Sequence, residues 1–383
     1  MKTSNILLSL VAVSALTFTG CGGGGSSSTP ATGGNTGGNT GGNTGGNTGG
    51  NTGSTACTTY TVPSSTTLSG DITECTKLTA NKTWILDGLV AVKNNTTLKI
   101  EAGTTIVGKD GTAANTSYMV IDKGSKILAE GTAAKPIIFT SKIAHDGGAA
   151  AWGQWGGLTI IGKAGNAQVQ PYEVNEAFTA DSTNMADNSG VLKYVQILNS
   201  GITMEQDKEV NGLSLVGVGS GTTIDHLTVN KSDDDCVETW GGTVNFTNVT
   251  LSECSDDHFD IDDGYAGTVK NLVINQTTGN AGIEMSGTTA ATFDGLKITQ
   301  TKSNKEGGIY FKKAGIGGHF KNATIIDNSA DGAGAINSKG TADVANISFE
   351  NVKLEGTSAD NKFTGDSAAA IEAKFDAGSG NTK

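Results

Sequence analysis

The chain has no arginine: all 26 of its basic side chains are lysine. Any site that grips an anion must do so with ammonium groups, without the planar two-pronged fork of a guanidinium. Positive charge is scarce overall, 26 basic against 38 acidic residues for a net −12, which argues against nucleic acid or a bare anionic lipid surface as partner. Helical heptad patterning is missing throughout. No apolar run reaches the ~20 residues a membrane-spanning helix needs. Beyond residue 55 nothing reads as a second linker. Residues 56–383 are therefore one folded unit, long for a compact domain and ordinary for an elongated repeat fold.

What is present begins with Lys2, an apolar run over residues 6–16, and then Thr17-Phe18-Thr19-Gly20-Cys21. Residues 1–20 read as an export signal. Small residues directly before Cys21 are similar to a lipobox, in which that cysteine is diacylated and becomes the new N-terminus. Loss of Lys2 with the signal takes the net charge from −12 to −13. Gly22 follows Cys21, without the Asp that marks inner-membrane retention, so the expected address is the outer membrane, on its periplasmic or outer side. From residue 22 to 55 the chain is Gly, Ser, Thr and Asn apart from Pro30 and Ala31, with five copies of Gly-Gly-Asn-Thr over residues 33–52. Nothing there can seed a core, so residues 21–55 read as a lipidated cysteine and a flexible tether with a span of roughly 30–35 Å.

In the C-terminal half an apolar triplet recurs, its second member three residues after the first and its third two further on. It reads Leu192, Val195, Ile197; Ile224, Leu227, Val229; Phe246, Val249, Leu251; Val269, Leu272, Ile274; Phe293, Leu296, Ile298; Phe320, Ala323, Ile325; Phe349, Val352, Leu354. First members lie 32, 22, 23, 24, 27 and 29 residues apart. Self-similarity at this period marks a solenoid, whose coils bury their apolar rows by stacking on one another. A second strand follows each triplet: Val237, Phe259 to Ile261, Ile283 to Met285, Ile309 to Phe311, then Ala335 and Ile336. Asn248, Asn271, Asn322 and Asn351 recur within the repeats, at positions suited to a turn or to a side-chain ladder between coils. Residues 163–189 break the rhythm and read as a protruding surface loop, a binding element or a tolerated insertion.

The N-terminal half holds short strands divided by Gly, Asn and Lys. Residues 97–106 (TLKIEAGTTI), 124–140 (GSKILAEGTAAKPIIFT), 155–160 (WGGLTI) and 212–215 (GLSL) through Gly264 and Tyr265 resemble a group of secreted, right-handed parallel β-helix lipoproteins. The likeness covers nearly all of residues 56–383. It implies an all-β, single-stranded solenoid of pectate-lyase-like architecture; most members of the group have no assigned activity.

With Cys21 lipidated, four cysteines remain in an oxidising compartment. Sequence neighbours suggest the pairs Cys57 with Cys75 and Cys236 with Cys254, although four cysteines allow three connectivities.

Two consecutive coils carry Asp233-Asp234-Asp235-Cys236-Val237-Glu238 and Asp256-Asp257-His258-Phe259-Asp260-Ile261-Asp262-Asp263. An offset of 22 residues stacks Asp234 on Asp256, Asp235 on Asp257, Cys236 on His258 and Glu238 on Asp260. Carboxylates in register about 4.8 Å apart repel unless protonated or bridged by a cation. Hard oxygen donors at this density point to Ca²⁺, held by Asp234, Asp235, Glu238, Asp256, Asp257 and Asp260; the alternative is a solvated acidic face. The same stretch is similar to the active-site region of the polygalacturonase family of glycoside hydrolases. That resemblance implies Asp234 and Asp235 as catalytic carboxylates, His258 as their aid, and a bridge between Cys236 and Cys254. Departures from that family are large: Leu213-Ser-Leu-Val-Gly217 stands where a further Asp belongs, and Glu284-Met285-Ser286 where an Arg-x-Lys pair would hold an acidic sugar. Lyase chemistry of the pectate type is weakened similarly, for it wants a strong base, often Arg.

Trp152, Trp155, Trp240 and Tyr265 lie near Gly-rich corners, where they either stack on sugar rings or close the core. The sequence thus predicts a lipid-anchored, monomeric β-helix that binds a glycan or another surface polymer. A polysaccharide hydrolase or lyase, and a structural spacer or adhesin, are the alternatives.

Overall fold

The computed structural model describes residues 57–165, 171–206, 208–301, 306–313, 316–329, 333–339, 344–356 and 362–383. The signal, Cys21 and the tether lie outside them.

Successive coils pair in parallel through three columns of strands. The first column runs Thr76–Leu78, Thr97–Ile100, Lys126–Glu130 and the first half of Gly190–Ser200. The second runs from the first half of Thr83–Val92 through Thr105–Gly108 and Ile137–Ser141 to the second half of Gly190–Ser200. From there on both columns are made by single bent strands, Thr223–Ser232, Asn245–Ser252, Thr268–Gln276, Ala290–Gln300, Gly317–Asp327 and Ile347–Gly356. The third column begins in the second half of Thr83–Val92 and continues through Tyr118–Ile121, Leu158–Ile161 and Leu213–Val216. It goes on through Val237–Trp240, Phe259–Asp262, Ala281–Met285, Gly307–Phe311, Ile336–Ser338 and Phe363–Gly365. The chain is an all-β parallel β-helix.

The register reproduces the triplets. Leu192 pairs with Ile224, Ile224 with Phe246, Phe246 with Val269, Val269 with Phe293, Phe293 with Phe320 and Phe320 with Phe349. Their side chains pile into continuous rows, with Phe293 and Phe320 stacked at 5.2 Å and Phe320 and Phe349 at 5.5 Å. Burying each such side chain is worth about 1.5–3 kcal/mol, so the rows carry the fold.

Each bent strand turns at the residue between the first and second triplet members. Tyr194, His226, Asn248, Asn271, Gly295, Asn322 and Asn351 occupy this position, all with φ between 49° and 81°. Asn tolerates that left-handed conformation, and its side chain links the coils. Asn271 Nδ2 donates to Asn248 Oδ1 at 3.0 Å and Asn351 Nδ2 to Asn322 Oδ1 at 2.8 Å. Turn and ladder are therefore one device.

Both cysteine pairs form disulfides, Cys57 with Cys75 and Cys236 with Cys254. The first tethers the opening coil. At the other end the helix Ala368–Ala377 lays Ile371 and Phe375 over the last core row, Phe375 lying 5.5 Å from Phe349. Such a cap shields the sheet edge from pairing with another chain. Among the described residues no helix is long and apolar enough to cross a membrane.

Of the expected protruding loop over 163–189, the described residues include a stretch that folds back onto the coil. Tyr172, Phe178 and Ala180 pack on the outward side of the third column with Ala91, Tyr118, Val120, Ile161, Ile202, Val210 and Val216, forming a second apolar cluster outside the coil. The hairpin Ile202–Glu205 and Lys208–Val210 completes this cover. Its cause is in the strands: their outward positions are apolar in the N-terminal half and need burial from both sides.

Candidate metal centre

The outward row of the third column changes character along the helix. In register it reads Ala91, Val120, Thr159, Ser214, Glu238, Asp260, Glu284, Tyr310 and Asn337. The apolar and hydroxyl part lies under the cover, where Tyr172 Oη is 3.2 Å from Thr159 Oγ1. Three acids then follow in succession. Residues of the preceding corner add Asp234, Asp235, Asp256 and Asp257, and Glu306 joins from the coil beyond.

Three groups of carboxylates converge, each with ligand atoms mutually within 4.8 Å: Asp234, Asp235 and Asp256; Asp235, Glu238 and Asp260; Asp257, Glu284 and Glu306. Five of the six expected ligands thus fall in the first two groups, while Asp257 faces Glu284 and Glu306. Buried carboxyl groups also hold the coils in register. Asp235 accepts the Asp257 backbone N–H at 2.8 Å, and Asp257 accepts that of Ala281 at 2.6 Å. Asn211 begins the series by accepting the Asp235 N–H at 3.1 Å, while its Nδ2 donates to Glu238 at 2.6 Å. Asp256 is bonded to the Asn280 amide. Asp260 is different: its Oδ1 is buried and accepts nothing. A buried acceptor without a partner costs about 1–3 kcal/mol, more when charged.

Burial raises the proton affinity of this group, and neighbouring charge adds to it. Asp235, Glu238, Asp257 and Asp260 are all held well above the usual carboxylate range, by desolvation first and then by Asp234, Asp260, Glu284 and Glu284 respectively. Desolvation and the Asp256 charge push Asp234 up to about 8. Burial and Glu284 take Glu306 to about 7, and burial with Glu209 takes Glu173 of the cover to about 7. Lys312 is the nearest counter-charge. Burial pulls its proton affinity down, but its bond to Glu284 at 2.5 Å more than restores it. One ammonium cannot neutralise so many carboxylates, so the face must keep protons or hold a cation.

The remaining candidates separate. His258 is fully buried beside the Ala281 carbonyl, 3.3 Å from Nδ1, and burial lowers its pKa to about 4. It lines the interior of the coil and is in none of the carboxylate groups. Trp155 and Tyr265 are also fully buried, Trp155 donating to the Leu198 carbonyl at 2.9 Å and Tyr265 to that of Val244 at 2.7 Å. Neither can stack on a sugar; each closes the core at a corner. Trp240 is half-buried edge-on against Tyr172 at 6.0 Å. Trp152 is 40% exposed, its Nε1 donating to the Glu253 carbonyl at 2.7 Å, and its neighbour Gly153 lies against Asp233. It stands at the rim of the acidic corner.

Glu284 and Glu306 were absent from the expected ligand set, and Glu173, which joins none of the three carboxylate groups but adds its charge to Asp234 and Glu238, was read only as part of a surface loop. Glu284 was legible in principle, for stepping the repeat one coil beyond Asp260 lands on it. Glu173 was not, because nothing local shows that the interval 163–189 folds back.

The domain family described as Pectate-lyase like beta helix domain matches residues 70–383. Among solved structures, the enzymatically active domain of tailspike protein 2 of bacteriophage CBA120 is 15% identical, with a TM-score of 0.30 over 74% of this chain and 39% of that one. This chain therefore spans well under half the tailspike domain. The A-module of the Azotobacter vinelandii mannuronan C-5 epimerase is 11% identical, with a TM-score of 0.29 over 82% of this chain and 86% of that module. No curated protein matches the chain.

Proposed function

The chain belongs to the pectate-lyase-like β-helix family, and from that premise we propose that it is an exported lipoprotein that binds a glycan or another surface polymer at a Ca²⁺-loaded carboxylate face. The single observation that carries the metal is Asp260 Oδ1, a buried carboxyl oxygen without a partner, set between Glu238 and Glu284 in register. Hard oxygens from Asp235, Glu238 and Asp260 suit Ca²⁺, and Asp234 with Asp256 extends the same donor set. When bound, the ion supplies positive charge that draws carboxylate or hydroxyl oxygens of a polymer to a face otherwise hostile to them. The chain supplies the rest: Lys312 screens Glu284, the backbone N–H groups of Asp257 and Ala281 fix the carboxylates, and Trp152 offers an apolar ring at the rim. Anchoring through Cys21 rests on residues 1–21 and the outer-membrane address on Gly22, while the two disulfides fit export to an oxidising compartment.

A second reading, glycan cleavage, is favoured by Asp234 at about 8 and Glu306 at about 7, carboxyl groups that hold a proton near neutral pH as a general acid must. This reading assigns no role to His258, which is fully buried. Calorimetric titration of Ca²⁺ into chelator-treated protein, followed by oligogalacturonate with and without the ion, tests the proposal. Saturable Ca²⁺ binding that confers oligosaccharide binding without new reducing ends supports it. Release of reducing ends, abolished by Asp234→Asn, moves the assignment to cleavage, and absence of any Ca²⁺ heat overturns the metal.

A further inference from the structure

The column of left-handed corner residues contains an anomaly on a different face of the coil. Five of its seven positions are Asn or Gly, the residues that adopt this conformation most readily, but the first two rungs are Tyr194 at φ 49°, a bulky residue that rarely adopts it, and His226 at φ 54°. Residues held in such a conformation against their preference concentrate where they serve a site. These two precede the Asn ladder and stack on each other, ring centroids 4.2 Å apart and planes 24° from parallel.

The pair lines a cleft of about 190 Å³ with Ala133, Pro136, Gln196, Thr228, Asn248 and Thr250. That is room for about six waters at ~30 Å³ each, or a single sugar ring. Gln196, Thr228 and Thr250 are not scattered: the register places them one above another on the outward side of the second column. They give the cleft a floor of one amide and two hydroxyls. No carboxylate or ammonium lines it. Asp225, the nearest acid, is committed to Asn248 Nδ2 at 2.9 Å and Lys193 at 3.5 Å. His226 Nδ1 lies 2.7 Å from Asp225 Oδ1, close enough for an ion pair though off the line a hydrogen bond requires.

We propose that the cleft formed by Tyr194, His226, Gln196, Thr228 and Thr250 is a second carbohydrate subsite, for an uncharged sugar residue and independent of Ca²⁺. The reasons are chemical. Amide, hydroxyl and imidazole groups exchange hydrogen bonds with sugar hydroxyls in both directions, and aromatic rings cover the ring's apolar C–H face. The lack of formal charge in the lining disfavours a uronate or phosphate. This inference rests on the glycan-binding reading above but not on the metal.

The column itself provides the discriminating variants. Tyr194→Asn and His226→Asn install the residue that most later rungs of the column use, which suits the backbone. If the pair serves a ligand, each variant melts at or above the wild-type temperature while binding is lost. The probes are neutral hexasaccharides of β-1,4-linked glucose, mannose and xylose, titrated calorimetrically in the presence of chelator. At least one binds the wild type, and each variant weakens that Kd tenfold or more with an unchanged or higher Tm. Wild type that binds none of the three overturns the proposal, as does undiminished affinity in both variants. A lower Tm in both variants overturns it as well, since the rings would then be structural. Oligogalacturonate binding that appears only with added Ca²⁺ reports on the carboxylate face alone, so the two readings fail separately.

Discussion

If the carboxylate face holds Ca²⁺, withdrawing the ion costs little stability at pH 5 and much more at pH 8. A carboxyl whose proton affinity is higher in the folded than in the unfolded chain contributes stability at low pH and loses it as pH rises through the folded value. Asp234 moves from 3.8 to about 8 and Glu306 from 4.5 to about 7. Chelated protein therefore loses stability between about pH 4 and 8, at up to ~1.4 kcal/mol per pH unit for each group that keeps its proton only when folded. Glu306 is half-exposed, and solvent screening reduces its share. Calcium bound as proposed, to the ionised face of the native state alone, opposes the trend. At a free concentration of 100 times Kd it adds ~2.7 kcal/mol. An unfolding entropy of ~2.1 cal/mol/K per residue over residues 57–383 converts this to a rise of about 4 °C in Tm. Differential scanning calorimetry at pH 5, 6.5 and 8, with Ca²⁺ or chelator, measures both trends. The expected record is a Tm that falls with pH in chelator, and a Ca²⁺ increment that is small at pH 5 and about 4 °C at pH 8. A chelated Tm indifferent to pH, together with no Ca²⁺ increment at any pH, would refute the reasoning.

Three further outcomes follow from the packing. Asp235→Asn keeps an oxygen for the Asp257 N–H and should leave the fold intact while weakening Ca²⁺ binding at least tenfold by calorimetry; Asp235→Ala loses that acceptor and costs about 1–3 kcal/mol in urea denaturation besides. Phe320→Ala opens the aromatic row between Phe293 and Phe349 and should cost about 3–5 kcal/mol, read as a lower urea midpoint at unchanged slope. Replacing Cys236 and Cys254 together by Ser removes a link of sequence separation 18 and should cost about 3 kcal/mol, read by urea denaturation under oxidising conditions that keep Cys57–Cys75 intact.

The solenoid was legible because its driving force is written one coil at a time. Every triplet member that faces inward must recur at the same phase in the next coil, so spacing alone placed Phe246 over Val269 and Phe293 over Phe320. The acidic stacking of Glu238 on Asp260 followed from the same step. Burial of corner residues was harder. Trp155 and Tyr265 sit beside glycines in sequence, which reads as surface, but each corner turns its aromatic ring inward to plug the core. The cover over residues 163–189 was illegible for another reason: its partner surface is assembled from the outward positions of strands far apart in sequence, Ala91 to Val216, and only the coil brings these together. Likewise Tyr194 and His226 looked like ordinary members of bent strands, and only their φ angles among Asn neighbours mark them.

The most direct test of the central claim is a crystal structure of residues 56–383 grown with Ca²⁺, with anomalous data collected at long wavelength. The account predicts a calcium peak with oxygens of Asp235, Glu238 and Asp260 at about 2.3–2.6 Å. A face without a peak, its carboxyl groups hydrogen-bonded to one another through retained protons, would contradict it.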